Sequence, residues 1–349
     1  MEVRFYTPTL YLTGIMENQT SLIWTRRYFE PGEFELHAPV TDSNLAMTAR
    51  GNIIWKKDSV EAGVIEDRTL DEGTSAGEIT IKGRFLSSYF DRRLIKSTVY
   101  FSGTYEAAMR QLVSGVTAIP LVTLGDEAGF TDTVSFQVTY KNLLTYIEKL
   151  SSASGLGFRL RPDFDAKVLY FEVYEGTDRT ASQGVTSRVI FSASYANLNN
   201  VIYRENDQLY KNVAYVGGEG EGSERVYVTV GDTDAEGLEL REVFVDAKDI
   251  VSDDLTEDEY TESLEQRGWE ALEEDILSES LECDTGADAN FTYKTDYDLG
   301  DIVTVRKPAW GIEEDLRITE VQEVYESEYR TILPTFGDPL PETIDWDDD

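Results

Sequence analysis

Residues Glu78 to Ile95 read EITIKGRFLSSYFDRRLI. Ile79 and Ile81 alternate with Glu78, Thr80 and Lys82, the period of a strand with one face in a core. After Gly83 the alternation stops: Phe85, Leu86, Tyr89, Phe90 and Leu94 carry the apolar character, and Arg92 and Arg93 arrive as a pair. This predicts a strand that leaves a β-domain through a turn, with two arginines at the junction. It contains no catalytic motif and points to an assembly protein more than to an enzyme.

The rest of the composition agrees. A chain of 349 residues with 41% apolar residues can bury more than one core, and two or three domains are expected. No run approaches the roughly 18 apolar residues that a membrane span needs. The start MEVRFYTPTLYL lacks a basic segment followed by an apolar block, so no signal peptide is read and synthesis in the cytoplasm is expected. The single cysteine, Cys283, cannot form a disulfide within the chain and falls in a stretch read as helical. There are 67 acidic and 31 basic residues, a net charge of −36. Such a surface repels polyanions and disfavours nucleic-acid binding through phosphates. It fits a solvated acidic surface, and also a protein from a salt-rich host.

In chain order, strands are predicted within 3–12 and at Ser21–Arg27. Glu30-Pro31-Gly32-Glu33 forms a turn into the alternating Phe34, Leu36 and Ala38. Shorter strands follow at 52–55 and 61–67. Strands at this spacing suit an antiparallel barrel or sandwich over residues 1–95. Residues 96–197 read as an α+β unit, with a helix after Thr104, a second over 141–152 stopped at Gly155, and a strand pair around Pro162–Asp165. The β pattern returns over 198–230 and 285–337. Between them, 231–284 reads as a helical insertion: Thr256 and Glu259 form a capping box, and Gly268 in mid-helix implies close packing against another backbone. Residues 338–349 form an acidic tail.

The segments Tyr28-Phe29-Glu30-Pro31-Gly32-Glu33-Phe34-Glu35-Leu36, Gly83-Arg84-Phe85-Leu86 with Arg92-Arg93, and Tyr297-Asp298-Leu299-Gly300-Asp301-Ile302-Val303 leading to Arg317-Ile318 occur in an order that resembles the tail-hub (baseplate hub) proteins of siphophages. That family shares its fold with the hub of contractile phages and the core of type VI secretion spikes. The resemblance implies a mainly β fold with α+β insertions: two tube-type antiparallel β-barrels, a middle α+β domain and a long acidic helix. It implies a homotrimer that joins a sixfold tail tube to a threefold tip and leaves a channel for DNA. The implied neighbours are a distal tail protein, a tape-measure protein and tip or fibre proteins, with DNA passing through unbound and the protein located at the tail tip of the virion. Arg92, Arg93, Asp298, Gly300, Asp301 and Arg306 are the residues expected at interfaces.

Chemical alternatives are weaker. His37, the only histidine, alternates with Leu36 and Ala38 and reads as a structural strand residue; no G-x-S-x-G elbow accompanies any serine. Asp163-Phe164-Asp165 and the stretch from Asp232 to Gly237 are calcium candidates, but the latter places Val243 where an EF-hand needs a bidentate acid. Gly217 to Gly222 does not have phosphate-loop spacing. The tyrosines and tryptophans fit sheet packing before a carbohydrate surface. No catalytic residue, cofactor or metal is expected. The competing function is a β-rich carbohydrate-binding or cell-wall-degrading tail protein.

Overall fold

The computed structural model describes residues 1–73, 77–116, 119–195, 197–253, 255–274, 278–284, 290–326 and 329–337. The acidic tail 338–349 lies outside the described residues. The first eight strands are β1 (Val3–Tyr6), β2 (Leu12–Met16), β3 (Ser21–Arg27), β4 (Glu33–Pro39), β5 (Ile53–Lys56), β6 (Gly63–Val64), β7 (Asp67–Asp71) and β8 (Glu78–Arg84). The β3–β4 hairpin turns at Gly32, where a Cβ would lie 2.2 Å from the Thr25 carbonyl oxygen, so only glycine fits. Its register pairs Leu22 with Leu36 and Trp24 with Phe34, on the face that also buries Ile79 and Ile81. A second sheet, ordered β2-β1-β5-β6, covers that face with Val3, Phe5, Met16 and Ile54. After β8 the chain enters a 3-10 segment, Leu86–Arg92, whose Leu86 and Phe90 join the core of the next unit. The short helix α1 (Asp42–Met47), capped by the Thr41 hydroxyl, has too few turns to show periodicity in the sequence.

The middle unit contains β9 (Val99–Thr104), α2 (Tyr105–Gln111), β10 (Val122–Leu124), β11 (Thr133–Val138), α3 (Leu143–Ser154), β12 (Gly157–Asp163) and β13 (Val168–Tyr174). The Thr104 hydroxyl accepts the Ala107 N–H at 3.2 Å and caps α2. Asn142 caps α3, and Gly155, at φ +68°, ends it. Met109, Ile147 and Leu150 pack with Phe158 and Phe171 in one core.

The remainder comprises β14 (Ile190–Ser192), β15 (Asn199–Asn206), β16 (Val213–Gly217), β17 (Tyr227–Gly231), β18 (Glu242–Asp246), α4 (Glu257–Glu274), β19 (Ser278–Asp284), β20 (Ile302–Lys307), β21 (Ile312–Glu326) and β22 (Arg330–Gly337). Three expectations are corrected here. The strands at 213–231 do not belong to the second β-unit; with β18 they form a separate sheet, ordered β17-β16-β18, on which α4 packs through Leu264 and Leu272. The inserted unit therefore begins after β15 rather than at 231. Cys283 lies buried in strand β19, not in a helix, because Leu281 and Cys283 alternate into the core beside Phe336. Gly268 packs tightly, but against side chains: a Cβ there would lie 2.5 Å from Val230 Cγ2 and 2.8 Å from Val216 Cγ2. The capping box is present, with Thr256 N–H donating to Glu259 at 2.8 Å and Glu259 N–H donating back to the Thr256 hydroxyl at 3.3 Å.

The remaining strands join one continuous sheet along the path β15-β19-β22-β21-β3-β4-β8-β7, with β20 pairing the first part of β21 and β14 pairing β20. The molecule is mainly β with α+β insertions. The seam between its two β-units is the antiparallel pair β21–β3, running from Glu320 opposite Arg27 to Glu326 opposite Ser21. Behind the β3-β4-β8 part of the path lies the Trp24–Phe34 core, and behind the β19-β22-β21 part a core of Phe191, Val303, Val305, Ile318, Val321 and Phe336.

Candidate assembly interface

One face of the eight-strand path covers both cores, so alternation turns the other face outward. Registers place Glu33, Glu35, Asp67, Asp71, Glu78, Glu282, Glu320 and Glu326 there, against the cations Arg27, Lys82, Arg84 and Arg204. The cations are already engaged: Arg27 lies 2.8 Å from Glu320 and 2.9 Å from Glu33, Lys82 lies 2.8 Å from Glu35, and Arg204 pairs with Glu282. The face carries an excess of carboxylates, with Ile23, Val324, Leu333 and Ile202 set among them. Burial pushes the Glu320 carboxyl up despite Arg27, whereas the hydrogen bond from Lys82 holds Glu35 below the usual range. The path has two outer edges. All five residues of β7 are exposed, and β15 is exposed or half-buried throughout. Such edges leave backbone donors and acceptors open for another strand.

Behind the sheet, buried charges fasten the two β-units together. Arg26, on β3, donates from Nε to Glu61 at 3.0 Å and from Nη1 to Asp298 at 2.7 Å and Tyr293 at 2.8 Å. Lys56 on β5 lies 2.6 Å from Glu323 on β21, and Lys294 and Arg330 approach the same carboxylate at 3.1 and 3.3 Å. These cations hold Glu323 down at about 2 against the effect of its burial. Lys56 is lowered to about 8, since burial and two neighbouring cations outweigh its one carboxylate. These residues were missed in the sequence. The signal was there, because Arg26 shares the phase of Leu22 and Trp24, and Glu323 that of Val321 and Tyr325; a charge on a core-facing phase needs a buried partner.

The residues expected at interfaces separate. Asp301 is buried, and its carboxylate accepts the N–H of Thr177 at 2.7 Å and Asp298 at 3.0 Å and the Arg179 Nε–H at 2.6 Å. Gly300, at φ +92°, lies against the Tyr28 ring, where a Cβ would be 2.2 Å from a ring carbon. Both are enclosed by their own chain, which corrects their placement at a surface. Asp298 holds Arg26 with its side chain 45% exposed. Arg92 is exposed, stacked on Tyr89 at 4.7 Å and 3.5 Å from Glu66; Arg93 is half-buried and donates to the Arg92 carbonyl at 3.0 Å. Arg306 Nε lies 2.9 Å from Glu313 without hydrogen-bond alignment. Arg92 and Arg93 stay side by side after β8, whereas Arg306 stands on β20.

The chemical candidates resolve simply. His37 lies on the outer face, 2.8 Å from Glu35 on its own strand and 3.2 Å across from the Thr80 hydroxyl on β8. Asp163 accepts the N–H of Asp165 and Ala166 and shapes the β12–β13 turn. Among the described residues, no group of three or more His, Cys, Asp or Glu is placed to hold a metal ion, and no helix is long and apolar enough to cross a membrane.

The fold is that of bacteriophage tail proteins. A tail protein from Neisseria meningitidis MC58 matches at 13% identity with a TM-score of 0.59, over 96% of each chain. A 43 kDa tail protein of prophage MuSo2 from Shewanella oneidensis matches at 14% identity and 0.58, over 96% of this chain and 98% of that one. Prophage tail protein gp18 from Listeria monocytogenes EGD-e matches at 12% and 0.57, over 97% and 95%. Curated protein sequences give no match. The chain belongs to the family of Siphovirus ReqiPepy6 Gp37-like proteins, whose model matches residues 2–338. Family and fold together define a structural component of a phage tail.

Proposed function

We propose that the protein is the non-enzymatic hub at the tip of a siphophage tail, and that three copies close into a ring around a channel for DNA. The observation that carries this reading is the sheet that runs unbroken through both β-units and ends in two exposed edges, β7 and β15. Pairing β7 of one copy with β15 of the next is a heterologous contact, which forms a ring when its rotation divides a full turn. Each copy contributes two four-strand halves joined at β21–β3, so three copies present six comparable segments to a sixfold tube. The carboxylate-rich face then lines the channel, where it repels phosphates and lets DNA pass without adhering. Arg92 is exposed, with Arg93 and Arg306 half-buried, and the three suit carboxylates of neighbouring proteins. The partners are a distal tail protein and a tape-measure protein on the tube side and tip or fibre proteins below.

Size-exclusion chromatography with light scattering, with negative-stain images, tests this. A trimer with a central opening is expected. Leu70→Pro, which removes an N–H from the outer side of β7 while Thr69 keeps its pairing to Thr80, should shift the mass to a monomer with the circular dichroism spectrum retained. A wild-type monomer at all concentrations, or a trimer indifferent to Leu70→Pro, would sink the reading.

A further inference from the structure

The sheet β17-β16-β18 has one face against α4 and one face open. On the covered side, Val216, Val230 and Leu264 are buried. On the open side, Tyr215 is 40% exposed and Tyr227 and Phe244 are each 56% exposed. Tyr215 stands directly opposite Phe244, and on the same central strand Gly217 stands opposite Tyr227 and Asp246. Gly217 is the key to this surface. A Cβ there would lie 2.6 Å from the Arg225 guanidinium carbon, so its bare backbone lets that side chain lie flat across the sheet.

Arg225 donates to the carbonyls of Gly217 and Gly218 and to Asp246, and its guanidinium sits 5.6 Å from the Tyr227 ring centre and 5.4 Å from that of Phe244. It fills the space between two rings carried on strands about 9–10 Å apart, two strand spacings. The result is one exposed face carrying three rings with a guanidinium held between two of them. Its rim is acidic: Asp246 is at one end and Glu242 lies beside the Tyr215 hydroxyl at the other.

We propose that this face binds a neutral pyranose glycan. Aromatic rings offer flat apolar surface to the C–H face of a sugar, and the two carboxylates offer acceptors to the hydroxyl donors at its edge. The other occupants fit less well. A protein partner would find no exposed aliphatic side chain among the outward positions of these strands. A single-stranded nucleic acid also stacks on rings, but the rim and the net charge of −36 repel its phosphates. A second copy docked through this same face would set Asp246 and Glu242 against carboxylates of their own kind. The rigid rings lower the ordering cost of binding.

The test is affinity gel electrophoresis of the full chain through gels containing dextran, galactomannan or arabinogalactan, with polygalacturonate as the anionic comparison. Retardation is expected in at least one neutral gel and not in polygalacturonate. Tyr227→Ala and Phe244→Ala together should weaken it by about tenfold or more. Phe244→Tyr, which keeps the ring, and Trp310→Ala, at an exposed tryptophan elsewhere, should leave it unchanged. Absence of retardation in every neutral gel, retardation by polygalacturonate alone, or a double variant that still runs like wild type would overturn the proposal. A change of oligomeric state in the double variant would likewise overturn it in favour of contact between copies. Retardation itself is read the same way whether or not the copies form a ring.

Discussion

Glu323 faces three cations, while Lys56 faces one carboxylate and two cations, so the partners of one ion pair contribute differently. Removing the carboxylate strands the buried Lys56 ammonium; removing Lys56 still leaves Glu323 with Lys294, Arg330 and the Tyr325 hydroxyl. Glu323→Gln is therefore expected to lower the unfolding free energy by about 3–5 kcal/mol, and Lys56→Met by about 1 kcal/mol or less, in guanidinium titrations at pH 7. The pH signs also differ. Glu323, depressed to about 2, stabilises the fold above its unfolded pKa and loses that contribution as pH falls toward 2. Glu148 on α3 behaves in the opposite way, since burial first, then Glu30 and Asp91, push it up to about 7. Its ionisation opposes folding as pH rises from its unfolded value through 7. Glu148→Gln should then stabilise by about 1–2 kcal/mol at pH 8 and have no effect near pH 4, a crossover that thermal melts at the two pH values detect.

Elements with strong local signals were legible in the sequence: the β3–β4 hairpin from its Pro-Gly turn, α2 and α3 from caps and apolar spacing, and the start of α4 from its capping box. The misreadings have physical causes. Val213–Gly217 alternates like any strand, and nothing local says which sheet it joins. Strand β19 begins at Ser278, soon after the acidic helix α4 ends at Glu274, and residues 278–284 carry the Leu-Glu-Cys sequence that suits either state. Gly268 was recognised as a packing glycine but not its neighbours, because those come from β16 and β17. This yields a prediction at the same scale. Gly268→Ala gains about 1 kcal/mol in helix propensity, yet its methyl meets Val216 and Val230. A net loss of about 1–3 kcal/mol is expected, seen as faster amide exchange confined to β16, β17, β18 and α4. Relief without loss would mean that the valines can rotate away.

For the whole molecule, the acidic composition is visible in the sequence, but its distribution is not; only the strand registers gather carboxylates on one face of a sheet built from both ends of the chain. Wild-type protein should not retard duplex DNA in gels. Glu35→Lys, Glu282→Lys and Glu320→Lys combined should produce binding that weakens steeply with added salt. Binding by the variant that ignores salt would argue against an electrostatic role for this face.

The seam between β3 and β21 joins residues 21–27 to residues 320–326. Contacts so distant along the chain form slowly, and during translation β3 emerges about 300 residues before the strand that completes it. Until then the nascent hairpin displays an open margin able to pair with other nascent hairpins. The yield of native protein in a cell should accordingly depend on how fast ribosomes deliver the last strands and on chaperones that shield the waiting one. Slowing synthesis near the 3′ end of the message should raise the insoluble fraction, even though the finished molecule is unchanged.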